Sequence, residues 1–435
     1  MTNDARKQLV PHYYIKRQKK NDYRSMKRHF ISAIAMLAAI AMFTTGCEKE
    51  TNENHPICPV DTTTTSVFHS IQKMSLPLFK EVCAVAEPNE NIMVSPLSLS
   101  ELLLMLANGA EGETRQQIMD ALQMGGLSAE SASQTFYSIN YYLCNADPKT
   151  KVSICNSIWI DNGLDVKSDY IKNNSLWFGA DSYHQELEGE KALNDINNWC
   201  KEKTNGCIPS IFNHPLSGED RMVLLNALYF KGIWKNKFKE SNTKDDVFHN
   251  IDGTESTVKM MHQTENFIAY SGEKFDVASF PYGNSTYVMD VILPHEGENL
   301  TDCLSTLDEE ELNHIRRRMY THEVNLYMPR WEMKYRKNLN SILKAMGISR
   351  AFTDEEAEFP LISDHRMSLQ KVSQASYIKV DEEGTEAASV SVGSMGDGAV
   401  GPSEPFTFYM NRPFAFIIRD KDSNAPLFTG RVVRL

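Results

Sequence analysis

The 435-residue chain lacks the residue arrangements that most enzymes and metal proteins require. No G-x-S-x-G nucleophile elbow occurs in it. His322 and Glu323 begin a zinc-protease pattern, but Leu326 occupies the place of the second histidine, so the pair reads as the surface start of a strand. Cys200 and Cys207 have no partner pair at zinc spacing and read as thiols of a helix and its exit. No metal and no cofactor is expected. Internal repeats are absent, and no Pro- or Gly-rich stretch divides the body, which predicts a single domain. Basic residues are missing altogether from the segment between Val380 and Asn411.

Excess positive charge is missing too, outside the N-terminus. The formal net charge is −12; the first 29 residues hold nine Lys or Arg against Asp4 and Asp22, a contribution of +7, so the remainder carries −19. Phosphates would be repelled by such a body, and no nucleic-acid partner is expected. The hydrophobic fraction of 41% suffices for a large core.

Met26 to Cys47 combines Lys27, Arg28 and His29 with an apolar run from Phe30 to Phe43, too short to cross a bilayer but suited to a signal peptide. Gly46-Cys47 resembles a bacterial lipobox, with Thr44 in place of the usual leucine, which implies acylation of Cys47 as the first mature residue. Residues 1–46 are thus an N-terminal extension and signal peptide, and residues 1–25 precede a better start at Met26. Residues 47–65 are polar, without aromatics, and read as a tether holding a domain of residues 66–435 away from the membrane. The implied location is outside the cytoplasm, on the outer membrane or cell surface, or secreted. Removing Cys47 leaves seven of eight cysteines, an odd number; Cys83, Cys155 and Cys303 sit among apolar neighbours as small hydrophobes, and no essential disulfide is expected.

Helical spacing recurs from Val67 through Phe68, Ile71, Met74 and Leu78, again over Ser98–Asn108, and in 113–122, 194–203, 300–319 and 338–346. Val152–Ile160 reads as a strand, and Arg221–Phe230, apolar on both faces, as a central one. Strands follow at 257–261, 266–270, 277–280, 287–293 and 323–329. Helices first and strands later predict an α+β fold.

One segment stands apart. From Lys379 to Ser391, small residues alternate through Thr385, Ala387, Ser389 and Ser391 with Glu386 on the other phase, so a strand here carries all its small side chains on one face. Val392 to Ser403 then holds four glycines and no Lys or Arg. Gly396, Gly398 and Gly401 spell the dinucleotide-binding pattern G-x-G-x-x-G. Pro402 and Pro405 prevent the helix that such a site needs, so the glycines fit an exposed, cleavable loop.

This hinge and loop resemble those of the serpins. Four further blocks agree in order: Asn91–Ser98, Asn226–Trp234, Val258–Met261 and Asn411–Val433. The resemblance implies a single domain with about nine helices, three mixed or antiparallel sheets and an exposed reactive loop, acting as a monomer. It implies suicide inhibition of serine, or also cysteine, proteases. The protease attacks the loop, and the freed strand enters the central sheet and carries the acyl-enzyme with it, a covalent complex that needs no catalysis by the inhibitor. About a dozen new ladder bonds at roughly 1 kcal/mol each come to the order of 10 kcal/mol. The hinge is assigned to Glu382, Glu383, Gly384, Thr385, Glu386, Ala387, Ala388 and Ser389. Ser95, Ser98 and Asn226 resemble the family's sheet-opening cluster, with Gln374 where a histidine is usual.

Counting the family's usual spacing from Gly384 places the scissile bond between Gly398 and Ala399, within Met395 to Ser403. Counting back from Pro413 gives Pro402, so the loop is about four residues longer than the common pattern. The small residues around the bond favour elastase-like or subtilisin-like targets over trypsin-like ones. The rival readings are a noninhibitory serpin acting as a surface binding protein or chaperone, and a lipid-anchored enzyme or glycan-binding protein.

Overall fold

The computed structural model describes residues 58–385 and 406–435. Cys47, Glu386 to Ser389 of the hinge and the expected Gly398-Ala399 bond lie outside the described residues. The first helix, α1 (Thr62–Val85), starts where Asp61 accepts backbone N–H bonds from Thr63 and Thr64, both at 3.0 Å. It therefore begins inside the stretch expected to be tether, because one capping carboxylate satisfies the orphan donors of a threonine run. Phe68, Ile71, Met74 and Leu78 are buried on its inner face.

A short strand, β1 (Ile92–Val94), leads into α2 (Pro96–Ala107), which is buried along its whole length, followed by α3 (Gly112–Ala121) and α4 (Ala129–Asn145). The central sheet then takes shape from β2 (Thr150–Asp161), β3 (Asp181–Gln185) and β4 (Met222–Ile233), with α5 (Ser168–Phe178) and α6 (Glu190–Lys203) between them. β4 is apolar on both faces for a visible reason. Leu224, Leu228 and Phe230 enter the main core, whereas Val223, Leu225, Ala227 and Tyr229 form a second cluster with Ile196 and Trp199 of α6.

The second half supplies β5 (Lys244–His249), β6 (Glu255–Ser271), β7 (Phe275–Pro281), β8 (Tyr287–Pro294), α7 (Leu300–Ser305), α8 (Glu309–Arg318), β9 (Tyr320–Pro329), β10 (Trp331–Asn338), α9 (Asn340–Ala345), β11 (Lys371–Asp381) and β12 (Gly384–Thr385). β13 (Phe406–Tyr409), β14 (Phe414–Asp420) and β15 (Pro426–Val432) end the chain. Nine α-helices are thus present among the described residues. The helix expected over 300–319 is two, because the Asp308 side chain accepts the Glu311 N–H at 2.8 Å and opens a new helix.

Among the described residues the strands form two hydrogen-bonded sheets where three were expected. One has six strands in the order β10-β11-β12-β4-β2-β3; the other has nine, running β1-β15-β14-β8-β7-β6-β9-β13 with β5 on β6. The join is β6, a 17-residue strand where the sequence suggested two. Its polar middle, His262 to Glu265, stays extended because it pairs with Val324 to Tyr327 of β9. His262 stacks on Tyr327 at 4.4 Å and hydrogen-bonds Asn325 Oδ1 at 2.7 Å.

Candidate functional site

β11 and β4 run parallel and pair directly from Lys371↔Val223 to Tyr377↔Tyr229. Beyond that stretch they part, and the two-residue β12 occupies the gap. Gly384 and Thr385 pair antiparallel with Asp381 and Val380 on one side and with Ile233 and Gly232 on the other. Gly384 has φ +146°, and a Cβ there would overlap the Gly232 carbonyl, so only glycine lets the chain turn back into the sheet. Thr385 faces the core at 0% exposure, its hydroxyl 2.9 Å from the Tyr282 hydroxyl. Tyr282 stacks on Trp234 with centroids 4.3 Å apart.

The turn entering β12 is held from three directions. The Trp234 N–H donates to the Glu383 carbonyl at 2.8 Å, and its indole donates to the Asp381 carbonyl at 3.0 Å. Lys237 pairs with the Glu383 carboxylate. Glu382 is buried and accepts from Arg330 Nε at 2.8 Å and from the Thr243 hydroxyl. Burial opposes its charge, but the bonds from Arg330 and Thr243 outweigh this and hold the carboxyl below its ordinary range.

Ser95, Ser98, Asn226 and Gln374 converge lower in the same seam, all buried. Ser95 caps α2 through its hydroxyl, which accepts the Ser98 N–H at 3.1 Å, with Pro96 in the first turn. Gln374 clamps the Ser95 backbone twice, accepting its N–H at 2.7 Å and donating to its carbonyl at 3.0 Å. Gln374 and Asn226 are register partners across the β11–β4 seam. Asn226 Nδ2 donates to Asn156 Oδ1 at 2.9 Å, and Asn156 Nδ2 donates to Glu101. The Ser98 hydroxyl, Asn226 Oδ1 and the Ser376 hydroxyl are buried without a hydrogen-bond partner.

Sequence reasoning missed Asn156, Glu101, Tyr282 and Arg330. Glu101 did carry a signal, as the single charge inside the apolar run Leu99–Leu106. His322 lies at the start of β9 beside Tyr320, with ring centroids 4.1 Å apart. No cluster of three potential metal ligands occurs among the described residues.

The central sheet is thus opened at one end by a two-residue stub, Gly384 and Thr385, of the segment whose sequence resembles the serpin hinge. A family model described as "Serpin (serine protease inhibitor)" matches residues 69–435. The chain is a serpin. Among relatives, Iripin-3 of Ixodes ricinus is 32% identical over 365 residues, 80% of this chain and 90% of the relative. Leukocyte elastase inhibitor of Equus caballus is 29% identical over 358 residues, 80% of this chain and 93% of the relative. The structure of tengpin, a thermophilic serpin in its native state, superposes with a TM-score of 0.78 at 29% identity, covering 87% of this chain and 95% of that one. This serpin thus belongs to a family of protease inhibitors and has inhibitors among its named relatives. In this serpin the Ser95 backbone at the start of α2 is held by an amide side chain, that of Gln374.

Proposed function

We propose that this serpin is a suicide inhibitor of serine proteases of elastase-like or subtilisin-like specificity, cysteine proteases being a secondary class. It traps the acyl-enzyme by inserting the cleaved loop between β11 and β4. The observation that carries this reading is β12, whose two residues already bond to both neighbours of the seam.

The register supports continuation. Extending the antiparallel pairing by steps of two brings Ala387 between Ile378 and Phe230, Ser389 between Ser376 and Leu228, and Ser391 between Gln374 and Asn226. An alanine thus meets apolar walls, while two serines meet Ser376 and Asn226, whose buried polar atoms lack partners. Leaving such groups unpaired costs on the order of 1–3 kcal/mol each, so filling the seam relieves a native-state penalty in addition to forming ladder bonds. The intervening residue Glu386 falls between Lys379 and Lys231 on the outer face, where its charge is favourable.

The absence of Lys and Arg from the loop supports small-residue specificity, with cleavage assigned to Gly398-Ala399. The signal-peptide and lipobox-like residues support export of the monomer and anchoring through acylated Cys47, ahead of the 47–61 tether. Incubating the domain of residues 58–435 with a protease panel tests the inhibitor. A denaturant-resistant covalent adduct is expected with an elastase-like or subtilisin-like enzyme and none with trypsin. Turnover as a plain substrate across the panel would reject inhibition in favour of a noninhibitory binding role.

A further inference from the structure

Strand insertion as such does not require a carboxyl group beneath the seam, yet Glu101 lies there on α2 at 0% exposure. One of its oxygens accepts from Asn156 Nδ2, while Oε1 has no hydrogen-bond partner. An ionised carboxylate only accepts, so it draws the donor end of the Asn156 amide toward itself. The acceptor end of Asn156 then takes the 2.9 Å bond from Asn226 Nδ2. Asn226 in turn keeps its own Oδ1 unpartnered. Because each amide has one donor end and one acceptor end, the orientation of the first dictates that of the second.

We infer that Glu101 is a positioning residue for strand insertion. Its carboxylate sets the direction of the Glu101–Asn156–Asn226 relay, so that Asn226 offers a free acceptor at the β4–β11 seam to a hydroxyl of the incoming strand. The inference rests on the insertion reading above, with Ser391 as the donor that arrives opposite Asn226. Once that hydroxyl donates, three hydrogen bonds in series point toward the carboxylate and polarise one another.

Proton linkage gives the sign. Burial pushes the Glu101 carboxyl up to about 7, with bonds from Asn156 and Asn140 opposing. The titratable groups acting near it are Cys144 on α4, pushed up to about 11, and Cys155 on β2, also raised, both mainly by burial; both are neutral thiols across pH 5 to 8. α5 contributes the Phe178 carbonyl, which accepts from Asn156 at 3.3 Å, and β4 contributes Asn226. α1, α3 and β15 also pack on α2, and among the described residues none adds a charge to Glu101. A raised carboxyl stabilises the intact fold fully below its ordinary value, and that contribution is lost as pH rises toward 7. The completed relay favours the ionised form. Both effects make insertion faster at higher pH.

The test is the rate at which a synthetic peptide of residues 385–398 anneals into the intact protein between pH 5.5 and 8.5. In wild type the rate should rise several-fold through pH ~7. It should be flat in Glu101→Gln, which cannot ionise, and markedly shallower than wild type in Asn156→Leu, which cuts the relay while leaving the carboxyl to titrate. A wild-type pH profile in either variant overturns the role of Glu101. Peptide that enters wild type at no pH overturns the insertion reading, and the positioning role with it. The two failures are separable through the thermal midpoint of the intact protein, which involves no insertion. From pH 5 to 8 wild type should lose stability relative to Glu101→Gln, and parallel curves would show that Glu101 does not titrate there.

Discussion

Thr385 is the point at which the hinge commits to a face. Its side chain is in the core against Tyr282, opposite Val380 and Gly232. Replacing it by arginine buries an unpaired charge at a cost of several kcal/mol, whereas in an inserted strand the next residue would take the opposite phase, toward the face of half-exposed Lys379 and water. Thr385→Arg should therefore consume many inhibitor molecules per protease inactivated. Glu386→Arg should stay close to wild type, with only a small penalty from the lysines flanking that position. Equal stoichiometries of inhibition for the two variants would refute the phase. The inward phase of Thr385 is legible in the period of the sequence, whereas Ser95, Ser98, Asn226 and Gln374 group as one cluster only through the resemblance to serpins. The groups that hold them are legible in neither. Asn156 is 55 residues from Glu101 and 70 from Asn226, and Arg330 is 52 from Glu382, separations over which no local pattern reports a contact.

Individual elements divide along the same line. Wherever periodicity alone decides, as in α1 with Phe68, Ile71 and Met74, or β4 with its doubly apolar faces, the expected element is present. β10 also alternates plainly, with Trp331, Met333 and Tyr335 buried between Glu332, Lys334 and Arg336, although the sequence reading omitted it. β6 could not be read as one strand, because its polar middle is extended only by pairing with β9. β12 is the extreme case, two residues whose strand character comes wholly from the neighbours on either side. Lengthening that stub should complete the six-stranded sheet. Clean cleavage within Met395 to Ser403 is expected to raise the thermal midpoint by several tens of degrees. The order of 10 kcal/mol estimated for the new strand supports that size, at about 2–4 °C per kcal/mol for domains somewhat smaller than this. A midpoint unchanged or lowered by nicking, read by calorimetry, would exclude insertion.

For the whole molecule, we propose an inhibitor held clear of a membrane by a lipidated Cys47, a proposal that rests on the signal-like N-terminus and the polar residues of the sequence that follow it. Metabolic labelling with a radioactive or clickable palmitate should mark the wild-type protein and be lost in Cys47→Ala; label retained in the variant would reject that anchor. The sequence by itself determined the α+β class, the central place of β4, the hinge with its small-residue face and the composition of the loop. All of these are written in patterns a few residues long, where period and propensity act. Only the tertiary structure decided that β11 and β4 part beyond Tyr377 and Tyr229, that the partnerless Ser376 hydroxyl and Asn226 Oδ1 lie in the closed seam below that parting, and that Glu101 is tied to the same seam through Asn156. Those features depend on which buried polar atoms find partners, and that is settled when distant segments pack and water is excluded.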